Sequence, residues 1–168
     1  MTRFILAVVV ASGATAAHAD TTIDPVRKYA WQENVGWTNW ADANSGVEGV
    51  QVLGDHLAGF IWCENIGFIN VGAGGGPYAL AASQTGADFG VNIAPSGDLS
   101  GYAWGENVGW INFDTATLGA ARARFDANDQ RFYGYAWGEN IGWLNLDDGT
   151  HFVASLGNCP ADLDGDNV

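Results

Sequence analysis

Gly101-Tyr102-Ala103-Trp104-Gly105-Glu106-Asn107-Val108-Gly109-Trp110-Ile111-Asn112-Phe113 contains two short aromatic runs around a polar, glycine-flanked bend. Each run alternates with period two and is rich in aromatic and β-branched residues, which predicts two strands. The loop Gly105 to Gly109 predicts a hairpin, with Gly109 free to take a left-handed conformation at its end. Pairing Trp104 with Trp110 sorts the side chains by face. Tyr102, Trp104, Trp110 and Asn112 share one side; Ala103, Ile111 and Phe113 share the other. A slip of one residue would mix the two sets, so this register is preferred.

Working outward, the same thirteen-residue phrase occurs four times. It reads KYAWQENVGWTNW from Lys28, GFIWCENIGFINV from Gly59, GYAWGENVGWINF from Gly101 and GYAWGENIGWLNL from Gly134. Recurrence every 31 to 42 residues is the mark of a repeat architecture. Upstream of the third copy, Phe89 to Ala94 reads as a leading strand and Pro95-Ser96-Gly97-Asp98 as a turn, giving three strands per unit. Val47 to Leu53 and Ala123 to Phe125 lead the second and fourth copies. The first, beginning at Lys28, lacks a leading strand, while His151 to Leu156 reads as a closing strand. Only Thr115 to Arg124 could host a helical turn. Gly72 to Asp88, with Gly74-Gly75-Gly76-Pro77, is the least ordered linker by composition.

The fold expected is all-β: four tandem three-stranded antiparallel β-meander repeats packed into one domain, as a sandwich, prism or propeller-like arrangement. Three strands cannot bury both faces alone, so the units must pack on one another. The chain has eight Trp residues, each able to bury about 150–250 Å². The pairs Trp31/Trp37, Trp62/Phe68, Trp104/Trp110 and Trp137/Trp143 are therefore expected to form the core between units.

Residues 1–19 read as a secretory signal, with Arg3 in the n-region, an apolar run from Phe4 to Ala11 and Ala17-His18-Ala19 as the cleavage site. The run is too short to span a bilayer as a helix. A secreted or cell-surface protein follows, with 20–158 as the repeat domain and 159–168 as an acidic tail. The net charge of −13 repels phosphate backbones and excludes nucleic acid as a natural partner. In an oxidising compartment the two cysteines, Cys63 and Cys159, are expected to form one disulfide, two unpaired thiols being the alternative.

The repeat phrase, preceded by Gly-Val-Asn-Ile-Ala-Pro-Ser-Gly-Asp-Leu-Ser, resembles tandem repeats of bacterial extracellular and cell-surface proteins over most of Val26 to Leu146. That resemblance implies surface or secreted location and carries no assigned activity. Cys159-Pro-Ala-Asp-Leu-Asp-Gly-Asp-Asn-Val168 resembles the opening of dockerin-type calcium repeats. It would place Asp162, Asp164 and Asp166 at positions 1, 3 and 5 of a calcium loop. Asn167 stands where that loop needs glycine, and the distal carboxylate is missing, so a complete loop is not expected and calcium is at most a weak cofactor.

The turn residues Glu33/Asn34, Glu64/Asn65, Glu106/Asn107 and Glu139/Asn140 recur once per copy. Two glutamates could in principle serve as acid and base. They are spaced by repeat rather than clustered, however, and turn formation accounts for them, with each Asn capping its own backbone. His56 and His151 read as ordinary surface histidines. No serine lies in a Gly-x-Ser-x-Gly setting, and no Cys-x-x-Cys or Cys/His cluster suggests zinc. The chain thus reads as a non-catalytic structural or adhesive protein. The second hypothesis is a carbohydrate-binding module in which Trp104, Trp110, Trp137, Trp143, Tyr102 and Tyr135 contact surface glycans. Other extracellular proteins are alternative partners.

Overall fold

The computed structural model of the chain describes residues 21–79 and 88–157. The signal-like leader, the acidic tail with Asp162, Asp164 and Asp166, and Cys159 lie outside them. The repeat phrases form four hairpins: β1 (Ile23–Gln32) with β2 (Gly36–Asn39), β4 (Leu57–Cys63) with β5 (Gly67–Gly72), β7 (Leu99–Gly105) with β8 (Gly109–Asn112), and β11 (Tyr135–Gly138) with β12 (Gly142–Asn145). The register is the one the side-chain sorting favours. Tyr102 pairs with Asn112, Ala103 with Ile111 and Trp104 with Trp110, and the equivalent pairs recur in the other hairpins.

Neighbouring hairpins pair antiparallel, β2 with β4, β5 with β7 and β8 with β11. Pairing of β12 with β1, through Trp31 with Asn145 and Gln32 with Leu144, brings the last hairpin back to the first. The result is a closed eight-stranded antiparallel barrel with outer strands, each repeat supplying two adjacent strands. Closure satisfies every strand edge within the barrel.

The outer strands are the leading strands of the repeats: β3 (Gln51–Val52), β6 (Val91–Ile93) and β9 (Arg124–Asp126). β3 and β6 pair with the first halves of β4 and β7, and β9 with β10 (Arg131–Tyr133). Between the outer and barrel halves sits a glycine in three copies, Gly59, Gly101 and Gly134, all at φ near +90° or +80°. A Cβ on Gly134 would stand 2.0 Å from the Arg122 carbonyl oxygen, so the chain can pass there only without a side chain. The first copy has no leading strand of its own, and the C-terminal β13 (Val153–Ser155) takes that place. It pairs with the first half of β1 and with β10, tying the two ends of the described chain together. Short 3₁₀ turns at Ala43–Gly46 and Ala116–Ala121 complete the elements; the second falls in the stretch expected to host one.

The interior corrects one expectation. Trp40 alone among the eight indoles is fully buried. The barrel's middle layer is Ala30 and Thr38, Ile61 and Ile69, Ala103 and Ile111, Ala136 and Leu144, all completely buried and facing one another across their hairpins. An eight-stranded barrel is only wide enough for side chains to fill it, and small residues set against branched ones do so. Indoles on this face would overfill it, so the Trp-bearing face of each hairpin turns outward. At one end Trp40, Val71, Phe113 and Leu146 form the floor, with Trp40 5.2 Å from Phe132 between ring centroids. At the other end Ile66, Val108 and Ile141 of the turns close the lumen, with Val35 packed against them.

Candidate binding surface

Each hairpin carries three aromatic rings on its outer face. Trp31 and Trp37 lie 4.9 Å apart between centroids, Trp62 and Phe68 4.7 Å, Trp104 and Trp110 4.7 Å, and Trp137 and Trp143 4.6 Å, edge-to-face or tilted. Tyr29, Phe60, Tyr102 and Tyr135 extend these pairs along the first strand of each hairpin. Such pairs add about 0.5–1.5 kcal/mol beyond their burial, so they brace each hairpin as well as facing solvent. Trp31, Trp37, Phe68, Trp137 and Trp143 are exposed, Trp37 at 42% and Trp143 at 37%; Trp62, Trp104 and Trp110 are half-buried.

Between consecutive hairpins these rings line three clefts of the same composition. The first, about 360 Å³, runs between Tyr29, Trp37 and Asn39 on one side and Trp62, Glu64 and Asn65 on the other. The second, about 380 Å³, lies between Phe60, Phe68 and Asn70 and Trp104, Glu106 and Asn107. Tyr102, Trp110 and Asn112 face Trp137, Glu139 and Asn140 in the third, also about 380 Å³. Volumes in this range suit small ligands. Of the predicted ligand-contact residues, Tyr102, Trp110 and Trp137 line the third cleft and Trp104 the second. Tyr135 and Trp143 instead border a shallow apolar patch with Leu118 and Ala121.

The turn asparagines act differently from the expected local caps. Asn65 Nδ2 donates to the Val35 carbonyl at 2.8 Å, Asn107 to Ile66 at 3.0 Å, Asn140 to Val108 at 3.0 Å and Asn34 to Ile141 at 2.8 Å. Each turn is tied to the turn of the preceding hairpin, and the fourth bond closes the circle. A local cap would have left those carbonyls to water; here one side chain satisfies a neighbour's acceptor and fixes the width of the cleft. The sequence marks the positions through their recurrence, but not the direction of the bond.

The seam carries a further device. Gln32, fully buried, occupies the position of Cys63, Gly105 and Gly138. Its Oε1 accepts from the Asn34 and Val35 N–H groups, both at 2.9 Å, and its Nε2 donates to the Ile141 carbonyl. The strand-ending asparagines Asn39, Asn70, Asn112 and Asn145 accept from backbone N–H groups two residues on, closing turns after the barrel strands.

Cys63 is buried on the lumen side, its Sγ 3.8 Å from the Val35 carbonyl oxygen. Its expected partner Cys159 lies outside the described residues. His56 is buried rather than on the surface, because the linker folds back over it. Its ring meets Tyr78 edge-on at 5.5 Å, with Nδ1 2.6 Å from an Asp55 carboxylate oxygen. Tyr78 in turn donates to the Leu57 carbonyl at 2.8 Å, and burial raises its phenol pKa. His151 is exposed and packs on Trp37 at 4.7 Å.

Charge at the surface is arranged in pairs at the opposite end from the turn ring. The Arg122 guanidinium beside Asp98 and the Lys28 ammonium beside Asp42 hold those carboxyls below the ordinary range. Among the described residues, no group of three or more His, Cys, Asp or Glu side chains is placed to hold a metal ion. No described helix is long and apolar enough to cross a membrane. Comparison with protein-family models, with curated proteins and with solved structures returns no match.

Proposed function

We propose that the chain is a non-catalytic adhesive module, exported to the cell surface or medium, that binds glycans in the three clefts between its hairpins. The observation that carries this reading is the threefold recurrence of one lining: aromatic rings from two neighbouring hairpins with a carboxylate and carboxamides at their edge. Aromatic rings supply the apolar contact that the C–H face of a pyranose takes up, and the polar groups at their edge set its orientation. Three sites on one rigid barrel favour a polymer over a monomer, because a second contact made along the same chain is intramolecular.

The test is retention on insoluble polysaccharides together with a glycan array. The intact chain is expected to be retained. Trp62→Ala, Trp104→Ala and Trp137→Ala combined should abolish retention while the β-sheet circular dichroism persists. A well-folded sample retained by no polysaccharide and by no glycan on the array removes the reading.

A further inference from the structure

The glutamates of the clefts differ from the one at the seam. Glu33 Oε2 lies 3.4 Å from the Trp143 backbone nitrogen, and a Cβ on Gly142 would stand only 2.8 Å from it. Its carboxylate therefore folds into the seam and takes a backbone donor. Glu64, Glu106 and Glu139 line the three clefts, and their carboxylates have no hydrogen-bond or ion-pair partner among the described residues. No Lys or Arg lines any of the three clefts, and the second holds Glu48 as well as Glu106. Each cleft is thus an aromatic-walled recess with an uncompensated negative charge, on a chain of net charge −13.

A cation is the complement of that surface. It is drawn to the ring faces by their quadrupoles, and to the carboxylate by a charge-assisted hydrogen bond. A bare alkylammonium would leave other polar groups unused. Asn70 and Asn112 spend Oδ1 on the Gly72 and Asp114 backbone N–H groups. Their Nδ2 groups have no partner among the described residues and are available to a ligand's oxygen atoms. Donor, acceptor and stacking surface together fit a sugar ring carrying an amine.

The geometry points to glycans with free amino groups, such as de-N-acetylated glucosamine polymers, as the class these clefts select. This rests on the glycan reading above and narrows it. The pyranose lies against Trp62, Trp104 or Trp137, and its ammonium pairs with Glu64, Glu106 or Glu139.

The experiment titrates the full chain with glucosamine oligomers and with fully N-acetylated oligomers of equal length, followed by calorimetry and Trp fluorescence. The free-amine oligomer should bind about ten-fold more tightly or better. That advantage should shrink toward unity at about 0.5 M salt, where exposed ion pairs are screened. The triple variant Glu64→Gln, Glu106→Gln, Glu139→Gln should abolish the preference, so that the two oligomers bind it with equal affinity; a preference that survives in this variant overturns the pairing of amine with carboxylate. These are isosteric changes at exposed positions, so folding is retained. Equal binding of the two oligomers by the unaltered chain overturns the amine preference and leaves the glycan reading standing. An oligolysine of equal charge that binds as well as the glucosamine oligomer also overturns it, since charge alone would then suffice. Binding of neither oligomer, with no polysaccharide retained, removes both.

Discussion

Replacing Gln32 tests the closure of the barrel at the seam between the last hairpin and the first. Its side chain makes three hydrogen bonds inside a fully buried site, two from the turn N–H groups of Asn34 and Val35 and one to Ile141. At a net of about 1 kcal/mol each, Gln32→Met, which preserves length and volume, should cost roughly 2–3 kcal/mol. The Ile141 carbonyl keeps its bond from Asn34, which holds the figure below the full three. Gln32→Ala loses the stem packing as well, adding about 0.8 kcal/mol per methylene. For a domain of this size each kcal/mol lowers the melting temperature by about 2–4 °C, so Gln32→Met should fall by roughly 4–12 °C. Asn107→Ala, which removes one equivalent inter-hairpin bond, should fall by about 3 °C on the same scale. The assay is thermal unfolding by circular dichroism. If Gln32→Met melts with or above Asn107→Ala, the three bonds do not hold the seam and the account of closure is wrong.

Gly134→Ala should cost more than about 3 kcal/mol or prevent folding, since its Cβ would meet the Arg122 carbonyl oxygen. Gly149→Ala, with the same sign of φ and open space around it, should cost only about 1–2 kcal/mol in urea titrations. Iodide should quench most of the Trp emission, and Trp40→Phe should remove the resistant remainder, because Trp40 alone is fully buried; a large resistant fraction that survives this change would put other indoles inside. Asp98, paired with Arg122, Asp42, paired with Lys28, and Asp24, held by the Arg27 and Val26 N–H groups, all have lowered pKa values. The folded state therefore binds protons less readily than the unfolded chain, and the contribution is complete above about pH 4 and lost as pH falls further. The urea midpoint should hold from about pH 7 to pH 5 and drop below about pH 4, with Asp98→Asn showing a shallower drop.

Much of each hairpin was legible in the chain. Period-two alternation and the Glu-Asn bend with its closing glycine set the register of Trp104 on Trp110, and that information is local. The closing strand near Val153 was also legible as an apolar run after a turn. Three features were not. The turn asparagines bond to carbonyls about 30 to 110 residues away, a distance no local pattern encodes. Gln32 carries no local mark of its role, because the carbonyl its amide holds, that of Ile141, lies 109 residues on. His56 is covered by Tyr78, which the glycine-rich composition of the linker gave no reason to expect there.

The alternating pattern fixes that Trp104 and Ala103 lie on opposite faces, since successive residues of a strand must point apart. It does not say which face turns inward, and the general tendency of Trp to be buried suggests the wrong answer. That choice belongs to the tertiary structure. Four hairpins closing edge to edge leave a lumen that accepts Ala, Ile, Thr and Leu but cannot take a ring from every strand, so the indoles of the hairpin strands are left outside and Trp40 alone lies within, at the floor. The pairing of consecutive hairpins places rings of one beside the glutamate of the next, and the clefts exist only where two hairpins lie edge to edge.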